Sequence, residues 1–336
     1  TNQSAIARNL CTEADIHEIH KKLGTILGNE GAWLDAVYYC PHHPDKGFPE
    51  ENPRYKIDCD CRKPKTGMFL KAIRKFNIDP ALSYMIGDSE RDIQAGINAG
   101  CITIGVRTGY GIKKTQVLPD YMFSNLAEAV DFIVTNPYQA YFDQIFERFS
   151  DYKGKMPWII LVGGNTRSGK STMSAYLRIA FRNAGYKALQ ISLDNWLLPE
   201  NKRTPGMNVF ERFQVELMEK DILNLLSGKK ISGRTYANHP KRSSLPIEYD
   251  AAETDIIILE GVVALSSEQL NSMAHLKIWM QVSEQLFIDR MIDYYGWREK
   301  SREETLELVE KRQRDEYQII EKESKFADLF INSYGS

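Results

Sequence analysis

The sequence is poor in cysteine, carries no excess of charge of either sign and has no long apolar run. Its 336 residues include 5 cysteines, too few and too unevenly spaced for a disulfide scaffold. The 43 basic and 45 acidic side chains give a formal net charge of −2, without the basic excess of a general nucleic-acid binder. No apolar stretch approaches the roughly 20 residues of a membrane span, and residues 1–8 lack a signal-peptide pattern. We therefore expect a cytoplasmic protein whose partners are neither nucleic acids nor membranes.

The composition is that of a globular protein, with 43% hydrophobic and 26% charged residues, and the length suggests two domains of about 100–200 residues each. Short apolar segments alternate with segments of helical periodicity in both halves. Strands are predicted at 36–39, 84–86, 102–106, 158–162 and 255–259. Continuous apolar strands between helices are typical of parallel sheets covered on both faces. Both halves are therefore predicted to be α/β, with a Rossmann-like first domain and a P-loop-type parallel sheet in the second.

A boundary between the two domains is predicted near the middle of the chain. Aromatic and aliphatic residues recur at helical spacing from 138 to 149, and the segment 151–157 then breaks the pattern with Gly and Pro. We expect domains at 1–135 and 157–336, joined by a helix and linker at 136–156.

A phosphate-binding loop follows the strand at 158–162. The pattern G-x-x-x-x-G-K-[ST] is formed by Gly164, Asn165, Thr166, Arg167, Ser168, Gly169, Lys170 and Ser171. Its position between a strand and a helix is the context that supports the motif. Backbone N–H groups of such a loop surround phosphates, Lys170 contacts the β- and γ-phosphates, and the Ser171 hydroxyl ligates Mg²⁺. ATP is the expected nucleotide.

Two acidic residues follow predicted strands of the same half. Asp194 comes after the apolar segment that ends at Ser192, and Glu260 comes directly after the strand predicted at 255–259. Carboxyl ends of parallel strands meet at one edge of a sheet, so both acids are candidates for the phosphate-transfer site. Either one can instead be a helix cap or a surface charge.

Residues 157–330 resemble the uridine kinase and phosphoribulokinase-like family of P-loop kinases. The resemblance lies in the phosphate loop and in the segments 192–196 (S-L-D-N-W) and 258–265 (I-L-E-G-V-V-A-L). It implies that Asp194 is the base for the acceptor hydroxyl and that Glu260 assists at Mg²⁺. The implied substrate contacts are Tyr236 and His239, together with Arg290 and Arg298 in the region of the family's arginine-rich lid. His239 can instead be a structural polar residue, and the arginines can instead belong to a solvated helix face. The Tyr–His spacing is shorter than in uridine kinases, which leaves the acceptor open among sugars, polyols and nucleosides.

A metal site is predicted in the first half. Cys40, His42, Cys59 and Cys61 bracket a polar, proline-rich loop, and three thiolates with one imidazole suit a closed, tetrahedral Zn²⁺ site. His43 is expected to point away from it. Unligated thiols in a loop are the alternative.

Residues 1–135 resemble haloacid dehalogenase-type phosphatases, most closely the branch of heptose bisphosphate and histidinol-phosphate phosphatases. The segments that carry the resemblance are T-N-Q-S at the start, C-P-H-H-P with C-D-C-R-K-P, and the I-G-D-S-E-R-D segment at 86–92. It supports the Zn²⁺ loop independently. It also implies phosphate or sugar contacts from Thr1, Asn2 and Arg62, charge stabilisation by Lys63, and a Mg²⁺ ligand in Asp88.

The nucleophile motif of that family, D-x-D-G-T, lies upstream of T-N-Q-S and has no counterpart in this sequence. Covalent phosphoryl transfer needs its carboxylate. We therefore expect the sequence to be a fragment of a longer bifunctional enzyme, a sugar-phosphate phosphatase fused to a small-molecule kinase. The alternatives are a histidinol-phosphate phosphatase half, an inactive Zn²⁺-stabilised module that scaffolds the kinase, and a nucleotide-dependent switch. The oligomeric state is not predicted.

Overall fold

The computed structural model describes residues 1–45, 51–112, 117–199, 202–204, 206–236, 244 and 246–335, except the side chains of 314 and 315. Contacts divide the chain into two compact units. The first comprises Thr1–Gly105 and Val117–Pro119, and the second comprises Val106–Gln116 and Asp120–Ser336.

In the described part of the first unit there are three α-helices and two strands. They are α1 (Glu13–Asn29), α2 (Gly67–Phe76), β1 (Tyr84–Gly87), α3 (Glu90–Ala99) and β2 (Ile102–Val106), whose last residue is assigned to the second unit. Helix α1 begins at Glu13 because Thr12 and Asp15 form a capping box at its N-terminus. The Thr12 hydroxyl accepts from the Asp15 N–H at 3.2 Å, and the Asp15 carboxylate accepts from the Thr12 N–H at 2.8 Å.

Strands β1 and β2 are parallel, with Tyr84 opposite Ile102 and Gly87 opposite Gly105. Helix α3 packs on both strands at Gly96, where a Cβ atom would lie 2.8 Å from the Met85 Cβ and 2.7 Å from the Thr103 Cγ2. Only glycine allows this close approach. β2 is buried along its whole length. β1 is partly exposed, whereas its apolar sequence predicts a strand that is covered on both faces.

The predicted strand at 36–39 is wrong. Those residues form no strand, and an isolated parallel bridge joins Asn2 to Cys40 immediately after them. The Thr1 amino group donates to the Tyr38 carbonyl at 2.6 Å, and the Gln3 N–H donates to the Cys40 carbonyl at 2.8 Å. An apolar run becomes a strand only when a neighbouring strand pairs with it over several residues, and here the pairing with residues 1–3 is too short.

The second unit contains eight strands and eight helices within the described residues. The strands are β3 (Tyr121–Phe123), β4 (Trp158–Gly163), β5 (Ala188–Ser192), β6 (Ile231–Arg234), β7 (Pro246–Tyr249), β8 (Ile256–Glu260), β9 (Leu276–Gln281) and β10 (Leu329–Asn332). The helices are α4 (Leu126–Thr135), α5 (Gln139–Asp151), α6 (Lys170–Asn183), α7 (Val215–Leu226), α8 (Glu268–Met273), α9 (Glu284–Trp297), α10 (Arg302–Arg312) and α11 (Gln318–Glu321). A π-helical turn, Gln313–Tyr317, joins the last two helices.

Five strands form the central sheet of this unit, in the order β10-β9-β4-β8-β5. Every pairing in it is parallel. All residues of β4 and β8 are buried, as expected for parallel strands covered on both faces. β6 and β7 form a separate antiparallel hairpin. The predicted fold class, two α/β regions with parallel sheets, is confirmed.

The helix predicted at 138–149 is present as α5. Its apolar face packs in the second unit, where the Phe149 ring lies 5.5 Å from Trp158 and the Phe142 ring lies 5.2 Å from Phe181. The predicted domain limits at 1–135, 136–156 and 157–336 remain a prediction.

Within the described part of the chain, no helix combines the length and apolar character that crossing a bilayer requires.

Candidate nucleotide, phosphate and metal sites

The phosphate loop lies between β4, which ends at Gly163, and α6, which begins at Lys170. Gly164 has φ +140°, and a Cβ there would lie 2.7 Å from the Ser168 Oγ and 2.8 Å from the Met280 carbonyl oxygen. Any residue other than glycine would therefore distort the loop at its first position.

Two buried polar atoms of this loop have no hydrogen-bond partner among the described residues. They are the Oγ of Ser168 and the Oδ1 of Asn165. The Lys170 ammonium is also buried, with 8% of the residue exposed, and it donates to the Asn165 carbonyl at 2.7 Å. Buried polar groups without protein partners indicate a polar ligand, and the helix N-terminus favours an anion here. The loop therefore fits a phosphate group.

Glu260 and Asp194 lie at the carboxyl edge of neighbouring strands. Glu260 ends β8, is 5% exposed and accepts a hydrogen bond from the Ser171 hydroxyl at 3.2 Å. Asp194 lies in the short 3-10 helix that follows β5. Because Ser192 of β5 pairs with Glu260, both carboxylates lie at one end of the sheet. The structure thus brings Lys170, Ser171, Asp194 and Glu260 together.

The charges at this edge influence one another. Burial lowers the pKa of Lys170, and the nearby carboxylates of Glu260 and Asp194 oppose that shift. Burial raises the pKa of Asp194, and the cations of Lys170, Arg167 and Arg203 oppose it. The pKa of Glu260 is raised by burial and then by the charge of Asp194. A buried lysine near one buried and one partly buried carboxylate is a group of charges that a bound cation and a polyphosphate can complete.

Asn195 connects Asp194 to the predicted substrate segment. Its side-chain Oδ1 accepts from the Tyr236 N–H at 2.9 Å, and its Nδ2 donates to the Tyr249 hydroxyl at 2.7 Å. Burial raises the pKa of Tyr236, and Asp194 raises it further, whereas Arg203 lowers it through its charge and a hydrogen bond. Tyr236 is therefore near Asp194, and its role as a substrate contact remains a prediction. His239 lies outside the described residues.

Sequence reasoning missed Arg203. It donates from Nε to the Leu198 carbonyl at 2.8 Å and influences the pKa of both Asp194 and Tyr236. No motif in the sequence singles it out, because it comes from the connection between the 3-10 helix and α7.

The two predicted lid arginines occupy different environments. Arg290 donates to three oxygens of the protein, including the Arg167 carbonyl in the phosphate loop at 3.1 Å. The Arg298 guanidinium carbon lies 5.7 Å from the centre of the Tyr294 ring and 5.8 Å from that of Tyr295. Substrate contact by either arginine remains a prediction.

In the first unit, Cys40, His42, Cys59 and Cys61 form one cluster, with their ligand atoms all within 4.8 Å of one another. The three Sγ–Sγ distances are 3.0, 3.3 and 3.5 Å, and the His42 Nδ1 lies 3.4 Å from the Cys61 Sγ. In a tetrahedral Zn²⁺ site with Zn–S bonds of about 2.3 Å, the sulfurs lie about 3.8 Å apart. The observed Sγ–Sγ distances are somewhat shorter, so the sulfurs would move apart slightly around the ion. Burial lowers the pKa of His42, which favours the neutral imidazole that a metal needs. The donor set therefore fits Zn²⁺.

His43 lies outside this cluster, as expected. Its Nε2 lies 3.3 Å from an Arg8 nitrogen, and its Nδ1 accepts from the Asp45 N–H at 3.3 Å. Arg62 donates to the His42 carbonyl at 3.0 Å.

Several residues with predicted phosphate roles lie close together in the first unit. The Asn2 amide forms a reciprocal pair with the Lys63 backbone, accepting from its N–H at 3.0 Å and donating to its carbonyl at 3.2 Å. The Lys63 ammonium pairs with Asp92, which also caps α3 through Ser89. Burial lowers the pKa of the Thr1 amino group, the charge of Lys63 lowers it further, and the charge of Asp92 opposes the shift.

Asp88 lies directly after β1, at the carboxyl end of the strand. Oxygen ligands at a strand end suit Mg²⁺. The roles of Thr1, Asn2, Arg62, Lys63 and Asp88 remain predictions.

Comparison with known proteins agrees with both resemblances. Residues 60–129 match the HAD-hydrolase-like family model, and residues 159–336 match the phosphoribulokinase / uridine kinase family model. A D-glycero-beta-D-manno-heptose-1,7-bisphosphate 7-phosphatase from Haemophilus ducreyi is 40% identical over 136 residues, which are 40% of this chain and 72% of that protein. The Haemophilus influenzae protein of the same name is 39% identical over 130 residues, 38% of this chain and 68% of the relative.

A solved structure, the D,D-heptose 1,7-bisphosphate phosphatase from B. bronchiseptica, has 36% sequence identity and a TM-score of 0.35, covering 40% of this chain and 72% of that one. The family model for the second half extends over more than half of the chain. The chain therefore belongs to the phosphoribulokinase / uridine kinase family, and it joins that kinase domain to a haloacid dehalogenase-like domain of the heptose bisphosphate phosphatase type.

Proposed function

We propose that the second unit is an ATP-dependent kinase that phosphorylates a hydroxyl group of a small molecule. One observation carries the proposal. Lys170, Ser171, Asp194 and Glu260 share one edge of the parallel sheet, beside a loop in which two buried side-chain oxygens have no hydrogen-bond partner among the described residues. A nucleotide-binding switch needs the loop and a metal ligand but needs no base. Asp194 beside the segment of Tyr236 supplies that base.

Each residue has a distinct part in this proposal. The loop N–H groups and Lys170 bind the β- and γ-phosphates, and Asp194 accepts the proton of the acceptor hydroxyl. Ser171 and Glu260 are the residues that would hold Mg²⁺, which neutralises charge on the phosphates when it is bound. Tyr236 and Arg203 lie where the acceptor must approach Asp194.

The test is ATP turnover by the full chain with a panel of acceptors: neutral sugars, polyols, nucleosides and sugar phosphates. A kinase produces ADP and a phosphorylated acceptor in equal amounts, and only when the right acceptor is present. Hydrolysis of ATP at one rate with every acceptor, and no phosphorylated product, would favour the switch instead.

We also propose that the first unit belongs to a phosphatase acting on a sugar bisphosphate of the heptose type. The 40% identity over 136 residues supports it, and so does the association of Asn2, Lys63 and Asp92. In this proposal Lys63 and Asn2 bind the phosphate, and Asp88 would hold Mg²⁺. The nucleophile is not assigned to any residue of this sequence.

Ligand binding tests this second proposal without requiring turnover. Heptose 1,7-bisphosphate should bind the chain, and Lys63→Met should weaken the binding. Lys65→Met is the matched control, because Lys65 pairs with Asp58 at 2.7 Å in an exposed position. Equal affinities of the two variants would argue against the phosphate role of Lys63. Histidinol phosphate binding more tightly would identify the other branch, and failure of both ligands to bind would favour a scaffolding module.

A further inference from the structure

Arg290 of α9 connects the phosphate loop to the C-terminal segment that follows β10. Its Nη1 donates to the Arg167 carbonyl at 3.1 Å and to the Ser333 Oγ at 2.6 Å, and its Nη2 donates to the Tyr334 carbonyl at 2.7 Å. The side chain is partly buried. Its hydrogen-bonding capacity is thus largely directed to the protein itself.

The loop conformation at the contact is a strained one. Arg167 has φ +59°, in the left-handed region that non-glycine residues seldom occupy. Its guanidinium lies over the Tyr294 ring, 3.3 Å from the centroid. Such a conformation persists when surrounding contacts fix it, and the hydrogen bond from Arg290 to the Arg167 carbonyl is one of them.

Ser333 packs against the same loop from the other direction. A Cβ at Gly169 would lie 2.6 Å from the Ser333 Oγ, so the two residues are in direct contact. The Ser333 N–H donates to the Gln281 carbonyl at 2.7 Å, which fixes it beside β9. Ser333 is 2% exposed.

Tyr334 is held in turn by α4 and by the start of α5. Its hydroxyl donates to the Asp131 carboxylate at 2.5 Å, and its ring lies 5.2 Å from Phe132. Its backbone N–H donates to the Tyr138 hydroxyl at 3.0 Å. All these residues belong to the second unit. A continuous set of contacts therefore leads from α4, through Tyr334 and Arg290, to the phosphate loop.

We propose that Arg290 and Tyr334 are positioning residues for nucleotide binding: α4 fixes Tyr334, Tyr334 and Ser333 orient Arg290, and Arg290 holds the Arg167 carbonyl so that the loop is preformed. The expected effect on nucleotide affinity rests on the proposed kinase function, whereas the contacts of Arg290 with the loop do not. If Arg290 only contacted the substrate, Tyr334 would have no influence on the phosphate loop. In the proposed arrangement, by contrast, the hydrogen bond between the Tyr334 hydroxyl and α4 influences the loop through Arg290.

Two variants separate these roles. Arg290→Gln removes the charged donors to the loop and to the C-terminal segment. Tyr334→Phe keeps the ring and its packing but removes the hydrogen bond to Asp131, and so leaves Arg290 itself unchanged. Lys187→Gln is the control, since it also removes one cation from an ion pair, with Glu253, that is exposed on both sides.

The first measurement is amide hydrogen exchange of residues 164–169 in the full chain without nucleotide. We expect faster exchange in Arg290→Gln and, to a smaller extent, in Tyr334→Phe, with β4 and the Lys187→Gln control unchanged. Exchange at the wild-type rate in both variants would overturn the inference. This readout does not depend on kinase activity.

The second measurement is the Kd for MgATP by titration calorimetry, with thermal unfolding of each variant as a check on folding. Loss of charge-assisted hydrogen bonds should raise the Kd of Arg290→Gln by about tenfold or more, and that of Tyr334→Phe by roughly two- to fivefold. A raised Kd in Arg290→Gln beside loop exchange at the wild-type rate would return Arg290 to direct ligand contact. Faster exchange in Arg290→Gln with wild-type behaviour of Tyr334→Phe in both measurements would refute the part assigned to Tyr334. Wild-type protein that binds no MgATP would refute the kinase proposal, and loop exchange would still decide the inference.

Discussion

The Ser171 hydroxyl donates a hydrogen bond of 3.2 Å to the Glu260 carboxylate, 89 residues away in sequence. It joins the start of α6 to the end of β8, which is the neighbour of β4 in the sheet. Hydroxyl and carboxylate oxygens are ligands that Mg²⁺ accepts. The two candidate metal ligands are thus already in contact, and Lys170 lies buried next to them.

Lys170→Met should reduce kinase turnover by about 10²–10³-fold, the usual effect of removing one preorganised charge from a transition state. Methionine has a similar volume, so the buried space stays filled. The measurement is the initial rate of ADP formation at saturating ATP and acceptor, with Lys187→Met as the control on the exposed surface. A turnover within threefold of wild type would show that Lys170 does not contact the transferred phosphate.

Asp194→Asn should separate binding from transfer. Asparagine keeps the size of aspartate but cannot accept the acceptor's proton, so transfer should drop by roughly 10²–10⁴ while the Kd for MgATP stays near that of wild type. Both quantities are measured on the same preparation. If the Kd weakens as well and excess Mg²⁺ partly restores it, Asp194 acts mainly at the metal. Transfer close to the wild-type rate would exclude both roles.

The sequence predicts where the phosphate loop and its two acids lie because each signal is local, and their roles remain predictions. The loop has a fixed spacing between a strand and a helix, and Glu260 ends an apolar run that forms a buried parallel strand. The position of Asp194 follows from the same rule for strand ends. Parallel register then brings together residues that are far apart in the sequence.

The structural role of Arg290 could not be predicted in this way. Its partners Ser333 and Tyr334 are 43 and 44 residues away and belong to no motif. The strand expected at 36–39 fails for a related reason, because its apolar pattern says nothing about the neighbour with which it must pair. Local pattern predicts an element, whereas tertiary contact decides whether it pairs and what its polar groups bind.

Cys59→Ser should abolish binding of one Zn²⁺ per chain, because a serine hydroxyl is a poor replacement for a thiolate ligand. The metal content of purified protein, measured by mass spectrometry, should fall from about one equivalent to near zero. Cys11→Ser is the matched control, since Cys11 lies outside the cluster. MgATP binding should be unchanged in both variants. Zinc retained in Cys59→Ser, or absent from the wild-type protein, would count against the site.

Acidification should destabilise the second unit through His275. The His275 Nδ1 accepts from the Ile159 N–H at 2.9 Å, and its Nε2 lies 2.7 Å from the Tyr152 hydroxyl, which donates to the Lys155 carbonyl at 3.1 Å. This pattern requires the neutral imidazole with its proton on Nε2. Burial lowers the pKa of His275 below its ordinary value of 6.5. The unfolded chain therefore binds the proton more readily than the folded chain does.

The contribution of His275 is thus fully present above about pH 6.5 and is lost as the pH falls through the lower pKa of the folded state. Protonation of Nδ1 breaks the bond to Ile159, and because His275 is exposed to solvent the cost should be less than about 1 kcal/mol. His275→Gln should show a flatter dependence of the unfolding midpoint between about pH 7.5 and 5.5, followed by tryptophan fluorescence, since Trp158 lies 6.5 Å from His275. His17→Gln, on exposed α1, should keep the wild-type dependence. Parallel curves for wild type and His275→Gln would show that another group is responsible.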